Sequence, residues 1–526
     1  MLSEIKPYQV ISAKKKAQQQ ESIPKSWRIP TERFQNSSNV MDVPLICGLL
    51  TETELTITSD YDATALLEKL KARVWSAEQV TVAFCKRAAI AQQLTNCLTE
   101  IFFDDAIERA RNLDQEYDAR SGGKCIPPLF GLPISLKDSF QVSGYDTSTG
   151  LGCYVDEPAE NNSALAAMLI DLGAVLYCKT NLPQSIMTGD SDNNVFGRTL
   201  NPRNKLLTAG GSTGGEGALL ALRGSILGVG TDIGGSIRVP SVCNGIYGFR
   251  PSVGLIPHSG VRDLTPPGTD GVRSTAGPMA TSLRDCALFL KLILQADISR
   301  YERFDLDSVD RSQTRTQAPD RRGLKQVVDL LGGNSDIEII HINLPDVKSH
   351  YQDFVSYMTL SGSDYYLQQF ERTGEPPIPS LTASGLLSVP RTTLQGFFQL
   401  NVRRAEAAKT YLKLFRDNNL DVIIMPPAPH TAVPLDCWSK AAYTCLWNYL
   451  DYPAIVIPVD QVQDMDFADD LSHARFGPDD EQLYSLYTGS EQYKGAPVCV
   501  QVVGYRHKDE ALIKAAAILD AIINKI

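Results

Sequence analysis

Two serines are set among glycines on either side of one short apolar run. The first is Ser212 in Gly210-Gly211-Ser212-Thr213-Gly214-Gly215. The second, 24 positions on, is Ser236 in Thr231-Asp232-Ile233-Gly234-Gly235-Ser236-Ile237-Arg238. Glycine lets the backbone turn sharply and lets a ligand approach main-chain N–H groups closely. A serine in such a loop is a candidate nucleophile, and the neighbouring amides are candidate donors to a developing oxyanion. A serine hydroxyl is a weak nucleophile at its ordinary pKa and needs a base. One candidate is Lys137, which ends the apolar segment Leu129-Phe130-Gly131-Leu132-Pro133-Ile134-Ser135-Leu136. A lysine amine has an ordinary pKa of about 10.4 and is charged near neutrality; lowering it by about three units takes roughly 4 kcal/mol. Burial beside apolar neighbours such as Ile134 and Leu136 can supply that shift. Read on its own, Lys137 is also consistent with a solvated lysine at a strand end.

Other chemistries fit these residues less well. Gly210-x-Ser212-x-Gly214 fits the nucleophile elbow of α/β-hydrolases, and histidines at 258, 341, 350, 430, 473 and 507 are available as partners. The elbow belongs between an apolar strand and a helix, whereas Asn201 to Ala209 are polar and broken by proline. Gly228-x-Gly230 follows a strand, but the next glycine, Gly234, comes one position too late for a dinucleotide loop. The chain has no Walker lysine motif and no His-Glu-x-x-His pair, so metal ligation is poorly supported. Asp190, Asp192, Asn193 and Asn194 read as a loop-shaping polar cluster, and Cys243 as a small buried thiol.

The elements that must carry these residues alternate. Residues 62–120 have a helical pattern, with Ser76 as an N-cap and a second helix over Asp104 to Tyr117. Strands are expected at 129–136, 174–178, 226–229, 421–425, 454–459 and 498–503. Helices are expected at 163–172, from Gly217 to Leu222, and between about 350 and 418. Strands alternating with helices imply an α/β fold, a single large domain with a central mixed β-sheet flanked by helices. Lys137, Ser212 and Ser236 all fall where strands end and loops begin, where sites collect in such sheets. Residues 1–50 form a polar extension expected to wrap on the body, and 51–526 the main domain. The polar stretch 298–323 reads as a surface connection.

Composition narrows the function. Fifty basic residues against 61 acidic ones give a net charge of −11, which argues against a nucleic-acid partner. No apolar run reaches the ~18–20 residues of a membrane span. The first residues, with Glu4, Lys6 and Lys14-Lys15-Lys16, lack the apolar middle of a secretory signal. Eleven scattered cysteines without a Cys-x-x-Cys pair read as reduced thiols in a cytoplasmic protein.

These residues together resemble the amidase signature family, most closely its fungal acetamidase-type members. The resemblance rests on Gly131 to Asp138, Lys179-Thr180-Asn181-Leu182-Pro183-Gln184-Ser185, Gly210 to Gly215 and Gly230 to Arg238. Ala83 to Ala88 and Gly495-Ala496-Pro497-Val498 extend it to both ends. It implies a Ser–Ser–Lys triad of Ser236 as nucleophile, Ser212 as proton bridge at a cis peptide bond, and Lys137 as base. It implies an oxyanion hole from the N–H groups of Ile233, Gly234, Gly235 and Ser236, with Thr231 and Arg238 shaping the loop. No metal or organic cofactor is implied. The substrate would be a small-molecule amide, cleaved to an acid and ammonia or an amine, and a homodimer stays open. The chain departs from the family between Asp297 and Gly323, which is shorter than expected. Alternatives are an inactive relative, a secondary-metabolite tailoring amidase or esterase, and the amidase subunit of a tRNA-dependent amidotransferase.

Overall fold

The structure, a computed structural model, describes residues 6–119, 126–266, 268–269, 271–296, 301, 318–438, 441–468 and 478–525. Nine strands form one mixed sheet: β1 (Leu98–Ile101), β2 (Pro133–Lys137), β3 (Val175–Thr180), β4 (Leu227–Asp232), β5 (Tyr247–Arg250), β6 (Thr275–Ala280), β7 (Val422–Met425), β8 (Ala454–Gln461) and β9 (Pro497–Gly504). Their spatial order is β1-β3-β2-β4-β6-β5-β8-β9-β7. Within the sheet, β2 runs parallel to both its neighbours, β3 and β4, and every other pair is antiparallel. Lys137 therefore ends a central strand, opposite Thr180, and Leu136 lies opposite Val229. Three parallel strands deliver their C-terminal ends, and the loops that follow, to one edge. All five residues of β2 are buried. Helices on both sides close the core, so the continuous apolar reading of this segment is that of a strand covered on both faces.

The first expected strand is shorter than its apolar run because the chain turns before it. Gly131 takes φ +70, and a Cβ there would lie 2.7 Å from that of Ala77. β1, β5 and β6 were not expected. β6 (Thr-Ala-Gly-Pro-Met-Ala) carries a glycine and a proline in a strand paired on both sides, against strand propensity.

The helices follow their local signals. Ser76 accepts from Gln79 N at 3.0 Å while the Gln79 side chain accepts from Ser76 N, a capping box for the helix Ala77–Thr95. The helix after Ser212 runs Gly214–Ala221, three residues earlier than the apolar pattern implies. Its two leading glycines are there for close approach rather than as a loop. A Cβ on Gly215 would lie 2.4 Å from both Asn181 N and Cys97 O, and Gly215 N donates to Asn181 O at 3.0 Å. The segment following Ser212 is thus pressed against the end of β3. Most of the expected connection 298–323 lies outside the described residues, which resume in the helix Ala318–Gly332.

The N-terminal segment contributes the helix Pro7–Ser22. Gln19 Nε2 donates to Leu98 O on β1 at 2.7 Å. Lys15 Nζ bonds Glu100 at 2.5 Å and Asp146 at 3.0 Å.

The contact at Gly215 is backbone on backbone and has no room to relax. Gly215→Ala is expected to cost about 1–3 kcal/mol by overpacking, measured by denaturant unfolding. An unchanged unfolding midpoint would show that the approach is not tight.

Candidate active site

Lys137 and Ser212 are fully buried, both 0% exposed. The lysine Nζ donates to Ser212 Oγ at 2.7 Å and to Thr231 Oγ1 at 2.9 Å. Burial drives its amine down to about 7, against the carboxylates of Asp263, Asp232 and Asp138, which act to raise it. The next residue, Asp138, is anchored away from the amine. It accepts from Thr99 Oγ1 (2.8 Å), Ser148 Oγ (2.9 Å) and Thr149 N (2.8 Å), and lies 3.5 Å from Lys179 Nζ.

Ser212 follows a cis Gly211–Ser212 peptide. A Cβ on Gly211 would sit 2.4 Å from Thr188 O, so only glycine fits between Ser212 and that wall. Ser191 staples the turn: its hydroxyl donates to Gly210 O at 2.9 Å and accepts from Gly214 N at 3.0 Å. The two serine loops are joined directly, since Thr213 N donates to Ser236 O at 3.2 Å. Ser236 is partly exposed, on the turn between β4 and the helix Arg238–Asn244. Lys137, Ser212, Thr231 and Ser236 therefore share one end of the sheet.

Asp232 shapes the second loop. Its carboxylate accepts from Gly235 N (2.8 Å), Ile237 N (3.1 Å) and Asn448 Nδ2 (2.8 Å). Arg238 reaches it with Nε (3.1 Å) and Nη2 (3.0 Å). Burial acts to raise this carboxyl, but the Arg238 guanidinium and its hydrogen bonds hold it well below the usual carboxylate range. The helix Ala442–Tyr449 supports the loop with Thr444, Cys445 and Asn448, which helical spacing places on one face. Thr444 Oγ1 donates to Gly234 O at 2.8 Å and Cys445 Sγ to the same carbonyl at 3.2 Å.

Of the four amides expected around an oxyanion, that of Gly235 is engaged by Asp232. Those of Ile233, Gly234 and Ser236 have no acceptor among the described residues. The resemblance assigned Thr231 and Arg238 to loop shape. Arg238 bonds the loop, whereas Thr231 touches the lysine itself. The sequence reading did not single out Asp232 and Asn448. Asp232 had a local signal, an aspartate three residues before an amide it can cap. Asn448 is 216 residues away and had none. Arg198 binds Asp190, Asp192 and Asp436, each at 2.8 Å, and Asn193 bonds Asn181 and Leu182 O, so the polar cluster holds a loop. Among the described residues no group of three or more His, Cys, Asp or Glu side chains could hold a metal ion.

The amidase family model matches residues 79–513. The chain belongs to the amidase family. It is similar to an amidase of Gibberella moniliformis, 36% identical over 545 residues with 98% of this chain and 99% of that one covered. It is also similar to an acetamidase of Emericella nidulans, 34% identical over 545 residues with 97% of each covered. Among solved structures, a fatty acid amide hydrolase superposes with a TM-score of 0.90 at 29% identity, covering 98% of this chain and 95% of that one. The protein is an amide-hydrolysing enzyme built as a single amidase signature domain. No described helix is long and apolar enough to cross a membrane.

Asp232→Asn leaves the Arg238 charge buried without its counter-charge, a change that costs about 3–5 kcal/mol in comparable buried pairs. Denaturant unfolding should show that loss. Wild-type stability would mean the pair does not hold the loop.

Proposed function

We propose that this amidase acts as a serine hydrolase through a Ser236–Ser212–Lys137 triad and a covalent acyl-enzyme. The observation that carries the reading is the buried Lys137 amine, 2.7 Å from Ser212 Oγ and lowered to about 7. At that pH half of the amine is neutral, and above it most is, able to accept a proton.

Ser212 gives its proton to Lys137 Nζ and takes that of Ser236, whose Oγ attacks the amide carbonyl carbon. The oxyanion is bound by the amides of Ile233, Gly234 and Ser236. The Gly235 N–H holds the loop through Asp232. Each oxyanion donor is typically worth about 10²–10³ in rate. The lysine ammonium returns its proton through Ser212 to the leaving nitrogen, which otherwise departs poorly as an anion. Ammonia or an amine leaves, and water then attacks the acyl ester over the same relay to release the acid and free Ser236.

The acetamidase and fatty acid amide hydrolase relatives carry acyl groups of very different size in their names. The substrate class is read as a small-molecule carboxylic amide whose acyl length an amide panel, from acetamide to aryl and fatty amides, would define. The acidic net charge supports a small-molecule substrate over nucleic acid, and the free-thiol composition supports a cytoplasmic setting.

Two experiments test the roles. A serine-reactive phosphonate should label Ser236, and Ser236→Ala should abolish labelling and lower amide hydrolysis by a factor on the order of 10⁴ or more. Labelling at Ser212 instead would overturn the assignment. For the wild type, kcat should fall as pH drops through about 7, because the amine becomes charged. Lys137→Ala should lower kcat by about 10²–10⁴, lose that limb and recover partly at high pH as hydroxide replaces the base. A pH–rate profile identical to wild type would rule out the lysine as base.

A further inference from the structure

We infer that Glu216 is a positioning residue that fixes the Ser212–Lys137 contact, and that it does so as a neutral carboxylic acid hydrogen-bonded to Ser135 and Thr180; this rests on the base reading of Lys137. Glu216 lies in the first turn of the helix that follows Ser212 and is 0% exposed. Its Oε2 accepts from Thr180 Oγ1 at 2.9 Å, and Oε1 makes a short contact with Ser135 Oγ. Ser135 stands two residues before Lys137 on β2, and Thr180 is the residue opposite Lys137 on β3. One side chain therefore ties the helix behind Ser212 to both strands that fix the lysine. β4 makes room for it: a Cβ on Gly228 would lie 2.0 Å from Glu216 Oε1.

The hydroxyls around this carboxyl form a chain. Ser135 Oγ bonds both Glu216 Oε1 and Ser225 Oγ, the latter at 2.7 Å, and Ser225 Oγ donates to Leu227 O at 3.2 Å. With Thr180 on Oε2, both carboxyl oxygens are paired with neutral hydroxyls.

Charge assigns the state of this carboxyl. Glu216 has no ion pair among the described residues, and its bonding partners are hydroxyls. A buried carboxylate without a cation loses its hydration with nothing in return, and protonates instead. Its titratable neighbours offer no positive charge. Burial lifts the Cys97 thiol to about 12 and the Tyr177 and Cys178 groups well above their ordinary values, so all three are uncharged. The Glu216 carboxyl itself is pushed up by burial to about 7, opposed by the Ser135 and Thr180 hydrogen bonds.

The test compares Glu216→Gln with Glu216→Ala in the full chain. Glutamine keeps the shape and one donor and one acceptor, matching the neutral acid. It should retain most of the wild-type kcat, whereas Ala should lower kcat by about 10²-fold through misplacement, with KM little changed. A merely structural role would not give rescue by Gln. Between pH 4.5 and about 7 the folded wild type holds a proton that the unfolded chain releases, so its stability falls as pH rises through that window. The melting temperature of Glu216→Gln relative to wild type should rise across it and level off above. In the same window, an infrared difference spectrum of wild type against Glu216→Gln should show a protonated carboxyl stretch. A Gln variant as impaired as Ala, or an ionised carboxylate band, would overturn the neutral state. Wild-type kcat in both variants would overturn the positioning role. Failure of the base reading is reported separately, by Lys137→Ala alone.

Discussion

The site depends on keeping one amine out of water. A lysine in solvent is charged near neutrality and is useless as a base. Here the strand that carries it is the central parallel strand of the sheet, covered on both faces, and among the described residues its Nζ meets only the hydroxyls of Ser212 and Thr231 at hydrogen-bond distance. Neutral hydroxyls satisfy the amine without stabilising its charge as a nearby carboxylate would. Asp138, one residue on, is turned away into bonds with Thr99, Ser148 and Thr149, and Asp232 is engaged by Arg238. Asp263 faces His258 Nε2 at 2.9 Å, and burial prevails over the pull of all three carboxylates.

The rest of the architecture brings two loops to that amine. Parallel pairing of β2 with β3 and β4 puts three strand ends side by side. The loop after β4 is bent around the Asp232 carboxylate, which ties down the Gly235 amide and leaves those of Ile233, Gly234 and Ser236 without acceptors among the described residues. The loop before the helix Gly214–Ala221 is held by Ser191 and by glycines at 211 and 215 that leave no space for a side chain. One backbone bond, Thr213 N to Ser236 O, links the two. The placement is thus mostly main-chain work, which explains the glycine density of both motifs.

Much of this was legible in the sequence because the reacting residues sit in contiguous motifs. Lys137 ends an apolar strand, Ser236 follows one, Ser212 stands in a glycine run just before a helix, and β2, β3, β4, β8 and β9 have the apolar runs of covered strands. What was missed had no local signature. β6 has Gly277 and Pro278 in its middle and is a strand because β4 and β5 flank it. Asn448, Thr444 and Cys445 support the second loop from a helix more than two hundred residues on, with a pattern that also suits plain core packing. Glu216 directly follows the glycine-rich motif and has no signal of its own there. Its lack of an ion pair among the described residues and its link to Ser135 and Thr180 are tertiary facts. The start of its helix at Gly214 was obscured because glycines chosen for close approach look like loop residues.

The most direct measurement is the titration of Lys137 itself, followed by NMR of isotopically labelled lysine in a Ser236→Ala background, with Lys137→Met used to assign the signal. A midpoint near 7 is the result expected of a desolvated amine. A resonance that stays in its charged form until close to the ordinary value of 10.5 would contradict the account.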